Sequence, residues 1–308
     1  MDHGGANISG LRDLRRLGGL ALTAIASLAL SGCFHEPPEP APDTSPPLFE
    51  ITNSEGAVEG WMLGTIHALP DDVAWRTEAI DRVIDQADML VVEIANLDDR
   101  QAIADVYAEL AISPNLPPLP QRLPPSQRAA LSNMIERAGL KPAQLTSTET
   151  WAAALALAQV NAQGDPKNGV DRIVIEEFDG REVIEFEGAV AQLTIFDSLP
   201  EDDQRDLLSG VVEESQLAKE NPGRLRDAWL KGDTATLEQA TTTGIMADAE
   251  LREALLVKRN RAWSGRLSAI LRAEQKPLVA VGAAHLVGGD SLSAMLEQRG
   301  YTVTAITR

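Results

Sequence analysis

The chain has 308 residues with a single cysteine, 27 Lys and Arg residues against 46 Asp and Glu residues, and a formal net charge of −19. One cysteine excludes an internal disulfide and a cysteine-rich zinc site, and the negative charge excludes nucleic acid as an expected partner because phosphates would be repelled. Since 44% of the residues are hydrophobic, the chain can bury a core, and its length suits one large domain or two small ones.

The amino-terminal segment predicts export and anchoring. Three arginines precede an apolar stretch over 17–30 that is too short for a comfortable transmembrane helix. Leu30-Ser31-Gly32-Cys33 then matches a bacterial lipobox, which predicts a lipoprotein signal peptide over 1–32 and a diacylglycerol group on the Cys33 sulfur. An ordinary signal peptide with an incidental cysteine is the alternative.

A proline-rich segment follows the lipobox. Six prolines lie between Glu36 and Pro47, which predicts that residues 33–48 form an extended tether to a globular domain over 49–308. Phe34 stands where an Asp commonly retains lipoproteins at the inner membrane. We therefore expect a lipid-anchored protein on the periplasmic side of the bacterial envelope, at the outer membrane rather than the inner one.

The first part of the domain predicts a strand-helix-strand unit. Residues 60–66 form a short buried strand, 71–88 place apolar residues at helical spacing, and 89–94 form a continuous apolar strand. A right-handed crossover makes the two strands parallel, so their carboxyl ends meet at one edge of the sheet. His67 and Glu93 stand at those ends and are expected to point at one place.

The middle of the chain predicts a large helical layer. Helical patterns cover 101–111, 126–138, 149–163 and 170–178, with a rigid proline-rich loop at 113–125 and a short strand at 181–187. From 190 to 275 the pattern is almost wholly helical, with breaks at 198–200, 221–223, 232–233 and 243–244.

The end of the chain repeats the beginning. A strand over 277–281, a turn at 282–285, a helix over 291–299 and a strand over 301–306 form a second unit. In both units Gly-x-x-His follows the first strand, with the turn glycines Gly64 and Gly282 ahead of His67 and His285. The sequence therefore predicts an α/β fold, with a parallel-rich sheet from two G-x-x-H strand-helix-strand units and a large helical middle layer.

His67 and His285 are the two histidines of the predicted domain, since the other two lie in the signal peptide and the tether. A single histidine at a strand end is more often structural, but the shared motif and the shared position indicate a functional pair. Together with Glu93 they suit a divalent ion with an open position for water, and Zn, Mn and Co all fit such donors. A solvated strand end is the alternative for Glu93.

The chain resembles the TraB/GumN family, which includes PrgY-like proteins and the animal Wnt-inactivating membrane proteases. The likeness spans Gly60–Ile306 and rests on Trp61–His67, Val91-Val92-Glu93, Gly169-Val170-Asp171, Phe186-Glu187 with Gln192, Lys258-Arg259-Asn260 with Trp263, Val281–His285 and the ending Gly300-Tyr301-x-Val303. The resemblance implies an α/β fold similar to the erythromycin-esterase and ChaN-like group. It also implies that His67, Glu93 and His285 form the metal or catalytic core.

The resemblance adds four residues that spacing alone does not select. Arg259 would bind a substrate carboxylate, a carbonyl or a developing anion, and Glu187 would be a further acid in the cleft. Asn260 and Asp171 are additional candidates. Without the resemblance, Arg259 would be interpreted as a surface ion pair and Asn260 as a solvated residue. One departure from the family pattern is Arg172, which follows Asp171 where an aromatic residue or a histidine is often found.

Two functions stay open. The first is a membrane-anchored, metal-dependent hydrolase, similar to a peptidase, that acts on a peptide or another amide. The second is a non-catalytic envelope lipoprotein that binds a peptide pheromone or a polysaccharide intermediate. The separation of the two imidazoles and the Glu93 carboxylate distinguishes them, because ligand atoms within about 3 to 5 Å of one another could share an ion.

Overall fold

The computed structural model describes residues 44–97, 99–161 and 164–307. The signal peptide predicted over 1–32, Cys33 and most of the predicted tether lie outside the described residues. Within the described ranges, no helix combines the length and the apolar character that crossing a bilayer requires.

A mostly parallel sheet of six strands runs through the described part of the chain. The strands are β1 (Leu48–Thr52), β2 (Val58–Thr65), β3 (Met89–Val92), β4 (Glu182–Glu185), β5 (Pro277–Gly282) and β6 (Thr302–Ala305). Their order across the sheet is β4-β3-β5-β2-β1-β6. The neighbours from β4 to β2 pair in parallel, and β1 pairs antiparallel with both β2 and β6. The predicted α/β class with a parallel-rich sheet is confirmed, and the likeness to the erythromycin-esterase and ChaN-like group stays a prediction.

The two strands of the first predicted unit run parallel but are not neighbours. β5 lies between them, with Leu278 paired to Trp61 of β2 and Pro277 paired to Met89 of β3. The carboxyl ends of β2, β5 and β3 therefore lie side by side at one edge of the sheet. This order puts the turn after β5 in the middle of that edge, which the sequence pattern alone did not predict.

The helices confirm most of the predicted pattern. Within the described ranges they are α1 (Glu78–Gln86), α2 (Arg100–Leu110), α3 (Arg128–Arg137), α4 (Thr150–Ala158), α5 (Val170–Glu177), α6 (Ala189–Asp197), α7 (Glu201–Glu220), α8 (Arg224–Leu230), α9 (Thr234–Ala240), α10 (Ala249–Arg252), α11 (Lys258–Leu271) and α12 (Leu292–Glu297). The four breaks predicted after residue 190 all fall between helices. One helix start was predicted too early, at residue 71, because Thr77 caps α1 by accepting a hydrogen bond from Ile80 N–H. A π-helical turn, Glu253–Val257, joins α10 to α11 and was not predicted.

The central strands bury side chains on both of their faces. In β3, Leu90 and Val92 pack in a core with α1 and α5, whereas Met89 and Val91 pack in a core with α11 and α12. Successive side chains of a strand point to opposite faces, so helices on both sides explain why this strand reads as a continuous apolar run. A third core lies among α3, α4 and α7, and it corresponds to the predicted helical layer.

The last residues of the predicted tether make backbone contacts with the domain. Leu48 already begins β1, Ser45 N–H donates to Leu230 O over 2.7 Å, and Gly64 N–H donates to Pro47 O over 2.8 Å. Proline density predicted a free extended chain here. Here Leu230 of α8 and Gly64 of β2 form hydrogen bonds with this segment, and a local pattern does not contain that information.

Candidate active site

The side chains that the sequence singled out gather at the carboxyl edge of the sheet. His67 follows β2, Glu93 follows β3, Glu187 follows β4, His285 follows β5, Asp171 lies on α5, and Arg259 and Asn260 lie on α11. Parallel strands end at the same edge, so four of these residues are brought there by strand direction alone. The remaining three are carried in by helices that pack over the sheet.

Gly282 marks the point where the two imidazoles and the carboxylate approach one another. A Cβ atom on this residue would lie 3.3 Å from Glu93 Oε1, 3.8 Å from His285 Cδ2 and 3.9 Å from His67 Nε2. The φ angle of Gly282 is −48°, which any residue adopts, so the close approach and not the backbone conformation accounts for a glycine here. The two G-x-x-H turns therefore converge beside Glu93.

Gly64, the glycine of the other motif, serves packing. A Cβ atom there would lie 3.1 Å from the Cα of Ala283 and 3.2 Å from the Cβ of Pro47. Its carbonyl also accepts a hydrogen bond from Trp229 Nε1 over 2.7 Å. The first motif glycine therefore allows β2 to pack against the turn that follows β5, which holds the two motifs together.

Glu93 is a buried carboxylate with a partner on each oxygen. Oε1 accepts Gly282 N–H over 2.8 Å, and Oε2 accepts from Gln192 Nε2 over 3.1 Å and from Arg259 Nη2 over 2.6 Å. Burial alone would raise the pKa of Glu93, but the surrounding imidazoles, the guanidinium and the Gly282 N–H lower it to about 2. Glu93 is therefore ionised at every pH at which the protein would work.

The hydrogen bonds around His285 assign its tautomer. Asn260 Nδ2 donates to Asp290 O over 2.8 Å, which leaves Asn260 Oδ1 to accept the N–H of His285 Nδ1 over 2.6 Å. His285 Nε2 therefore carries the lone pair, and it lies 3.2 Å from Arg259 Nη1 and 4.0 Å from Glu93 Oε1. Burial lowers the pKa of His285 to about 4, so this imidazole is neutral at pH 7.

His67 is held in the opposite protonation state. Its Nδ1 lies 2.9 Å from Asp171 Oδ2, and this hydrogen bond raises the pKa of His67 to about 9. Solvent screens part of the attraction because 70% of the side chain is exposed. The resulting cation presents its Nε2 toward Gly282, and Asp171, whose role the sequence left open, is the residue that orients it.

Arg259 uses all five of its N–H groups on protein partners. Nε and Nη2 donate to Glu187, Nη2 also donates to Glu93, and Nη1 donates to Leu255 O and to His285 Nε2. Burial opposes its charge, but the two carboxylates raise the pKa of Arg259 above its ordinary value. Because no N–H group is free, an incoming anion would have to displace one of these protein partners.

A pocket of about 270 Å³ opens beside these groups. Its wall includes His67, Glu93, Asp171, Gln192 and Thr65. Two of its polar atoms, Thr65 Oγ1 and Asp171 Oδ1, are buried without a hydrogen-bond partner in the described part of the chain. The sequence analysis did not single out Thr65, and the available signal was its place inside the first G-x-x-H motif. The pocket therefore holds polar groups that the protein does not satisfy by itself.

The donor types around Gly282 fit a divalent ion. They comprise the lone pair of His285 Nε2, the ionised Glu93 and the Nε2 of His67, which becomes a donor once the ring loses a proton. In their present arrangement, no group of three or more His, Cys, Asp or Glu side chains among the described residues stands at the spacing that holds an ion. The Arg259 guanidinium fills part of the space between two of these donors. The donor types are thus those of a divalent-ion site, but their described arrangement does not have ion-binding spacing.

A model of the TraB/PrgY/gumN family matches residues 47–305 of this chain. Searches of curated proteins and of solved structures give no match. The matched region runs from the start of β1 to the end of β6 and contains every residue of the site described above.

Proposed function

Because the chain belongs to the TraB/PrgY/gumN family, we propose that it is a metal-dependent hydrolase of peptide or other amide bonds, with its centre at Gly282. The observation that supports this most strongly is the convergence of both G-x-x-H imidazoles on one ionised carboxylate. A protein that only binds a ligand has no need for two imidazoles held in opposite protonation states, whereas catalytic sites commonly contain such pairs.

His67, Glu93 and His285 would hold the ion, which when bound would supply a Lewis acid and a water of lowered pKa. Asp171 fixes the ring of His67 through Nδ1, and Asn260 does the same for His285. Partners of this kind set the tautomer and the direction of the other ring nitrogen. Both rings therefore turn Nε2 toward the site, where His285 Nε2 accepts from Arg259 Nη1 and His67 Nε2 would have to lose its proton before binding an ion.

Arg259 has a positioning role in this proposal. Its guanidinium bridges Glu93 and Glu187 and neutralises charge in a region where only 11% of the arginine side chain is exposed. Trp263 packs against Arg259, with the guanidinium carbon 4.6 Å from the centre of the indole ring. The indole N–H of Trp263 also donates to Glu187 over 3.0 Å. Arg259 therefore holds Glu93 in place, and another group must stabilise the oxyanion.

Thr65 is the group best suited to that task. Thr65 lines the pocket that contains His67 and Glu93, and its buried hydroxyl has no partner in the described structure. A donor aimed at the oxygen of the scissile carbonyl is most effective when it is fixed in place and shielded from water. The Thr65 hydroxyl would donate to that oxygen as its negative charge develops.

The test uses the full-length protein and a set of quenched fluorescent peptides. Turnover should be lost on chelation and restored by Zn, Mn or Co, and Glu93→Gln and His67→Ala should each lower kcat by at least about 100-fold. His35→Ala, in the predicted tether, is the matched control and should behave as wild type. Turnover that survives both chelation and His67→Ala would refute the metal-dependent mechanism. Metal content of the purified protein provides a readout independent of turnover.

The saturated donors of Arg259 favour a second function, namely non-catalytic binding of a peptide pheromone or a polysaccharide intermediate. An arginine that bridges two acids stabilises the structure of the pocket, and this role is the same whether or not the protein is catalytic. This function predicts a His67→Ala, His285→Ala double variant that binds its ligand as tightly as wild type. Loss of binding together with measurable wild-type turnover would contradict it.

We also propose that Cys33 anchors the protein by a lipid on the periplasmic side of the envelope, at the outer membrane. The lipobox supports this proposal. Cys33→Ser should release the protein from the membrane fraction into the soluble fraction, and His35→Ala should not. An unchanged distribution of the Cys33→Ser protein would contradict the anchor.

A further inference from the structure

A second cavity, of about 460 Å³, adjoins the candidate active site. Its wall shares His67, Ala68 and Gln159 with the first pocket. The two cavities therefore meet at His67, and a ligand bound across that residue would reach into both. The remainder of the second wall comes from the end of α7, the start of α8 and the segment after α9.

The wall of the second cavity carries exposed leucines. Leu217 is 60% exposed and Leu225 is 43% exposed, and both line this cavity. Two other large hydrophobic residues of the described chain are comparably exposed, Ile112 and Val190, and they line neither cavity. Apolar surface left open beside a polar site is a common feature of ligand pockets, because a ligand covers it on binding.

The wall of the second cavity also carries an arginine, Arg224, without a charged partner among the described residues. Arg224 makes no ion pair or side-chain hydrogen bond within the described ranges, although the chain carries a net charge of −19. Its neighbour Arg226 is paired with Asp227 over 2.7 Å. Glu214, the acid on this wall, accepts the N–H of Ile245 over 3.0 Å. The cavity thus combines apolar surface with the unpaired charge of Arg224 and the hydrogen-bonded acid Glu214, and Arg224 is the group that would bind the anionic end of an apolar ligand.

We propose that this second cavity is a substrate subsite that binds a large apolar side chain next to the scissile amide, with Arg224 binding a carboxylate of the same substrate. The substrate class is then a peptide with a leucine-like residue near an acidic group, either its own carboxyl terminus or a following acidic side chain. This inference rests on the proposed hydrolase function, because it places the scissile bond in the first pocket.

The test measures binding separately from turnover. The full-length Glu93→Gln protein, in which turnover is blocked, is titrated with Ala-Ala-Ala-Leu, its carboxyl-terminal amide and Ala-Ala-Ala-Ala, each by displacement of anilinonaphthalene sulfonate. The leucine peptide acid should bind at least about 10-fold more tightly than the alanine peptide, since one buried leucine side chain contributes at least that much. It should also bind more tightly than its amide, which lacks the carboxylate that Arg224 would bind. A fourth peptide, Ala-Ala-Ala-Leu-Asp amide, distinguishes a terminal carboxylate from an acidic side chain.

Variants in the same background assign the contacts. Leu217→Ser with Leu225→Ser should abolish the preference for leucine, and Arg224→Gln should abolish the difference between acid and amide. Ile112→Ser is the matched control and should change neither. Equal binding of the leucine and alanine peptides, or an equal effect of Ile112→Ser, would overturn the subsite.

The two proposals fail separately. A leucine preference that depends on these residues while wild-type protein hydrolyses no peptide would sustain the second cavity as a peptide-binding site and refute the hydrolase. Hydrolysis without any preference at this position would sustain the hydrolase and overturn the subsite.

Discussion

Replacing Thr65 by valine should make the protein more stable and its turnover slower. The side chain is 3% exposed, and its hydroxyl has no hydrogen-bond partner in the described structure. Valine keeps the branched shape at the end of β2 and exchanges only the hydroxyl for a methyl group. A buried polar group without a partner costs about 1–3 kcal/mol, and the lower value applies here because the pocket can admit water.

The expected gain is therefore about 1 kcal/mol in the free energy of unfolding, or a rise of about 2–4 °C in Tm for a domain of this size. Turnover should fall by about 10²–10³ in kcat, the usual effect of removing one donor to an oxyanion. Urea denaturation and peptide hydrolysis measure the two quantities on the same preparations. Thr65→Ser keeps the hydroxyl and should retain most of the turnover.

Thr150 provides the matched control for stability. It is also fully buried, but its hydroxyl bonds to Arg122 and to Glu201 over 3.0 Å each. Thr150→Val should therefore lower the free energy of unfolding by about 1–3 kcal/mol, opposite in sign to Thr65→Val. A Thr65→Val protein that is destabilised as much as Thr150→Val would show that the hydroxyl has an internal partner. A stabilised Thr65→Val protein with unchanged kcat would refute a role in the reaction.

Four further predictions follow from the same contacts. Gly282→Ala should lower turnover at least about 10-fold with little change in Tm. Gly64→Ala should lower the free energy of unfolding by about 1–3 kcal/mol through overpacking. Similar melting temperatures of the two variants in calorimetry would contradict this difference. Arg259→Gln leaves two buried carboxylates without their cation and should lower the free energy of unfolding in urea by about 3–5 kcal/mol, so a loss under about 1 kcal/mol would refute the bridging role. Because the pKa of His285 is lowered to about 4, only the unfolded state takes up its proton between about pH 6.5 and that value, and stability should fall as the pH falls through this window. His285→Asn should flatten that part of the pH profile, and an unchanged profile would count against a buried neutral imidazole. Because the pKa of His67 is raised to about 9, divalent-ion affinity measured by calorimetry should rise with pH up to that value with release of a proton. Affinity independent of pH over this range would exclude His67 as a ligand.

The sequence was most informative where one pattern of residues predicts both a strand and the place of the side chain that follows it. The continuous apolar run over 89–94 predicted a strand, and β3 forms there with helices on each side. Strand direction then predicted that His67 and Glu93 would share an edge of the sheet. The repeated G-x-x-H motif predicted that His285 belongs with them, and all three side chains lie near Gly282.

The sequence patterns did not predict β1 or the strand order, because both depend on contacts between distant segments. β1 is short and its sequence has no pattern that predicted a strand, whereas its backbone hydrogen bonds are made with β2 and β6. The insertion of β5 between β2 and β3 is likewise a matter of long-range pairing, which periodicity does not encode. The hydrogen bonds of Ser45 and Pro47 have the same origin.

The sequence by itself determined the fold class, the edge of the sheet that carries the site and the identity of its imidazoles and strand-end acid, since these follow from local periodicity and from the common direction of parallel strands. Only the tertiary structure decided the charge of each group. The neutral His285, the saturated Arg259 and the unpartnered Thr65 result from burial and from the atoms that surround them, and the cationic His67 results from its hydrogen bond to Asp171. Desolvation and hydrogen bonding act through space, so they are set only when the chain has folded.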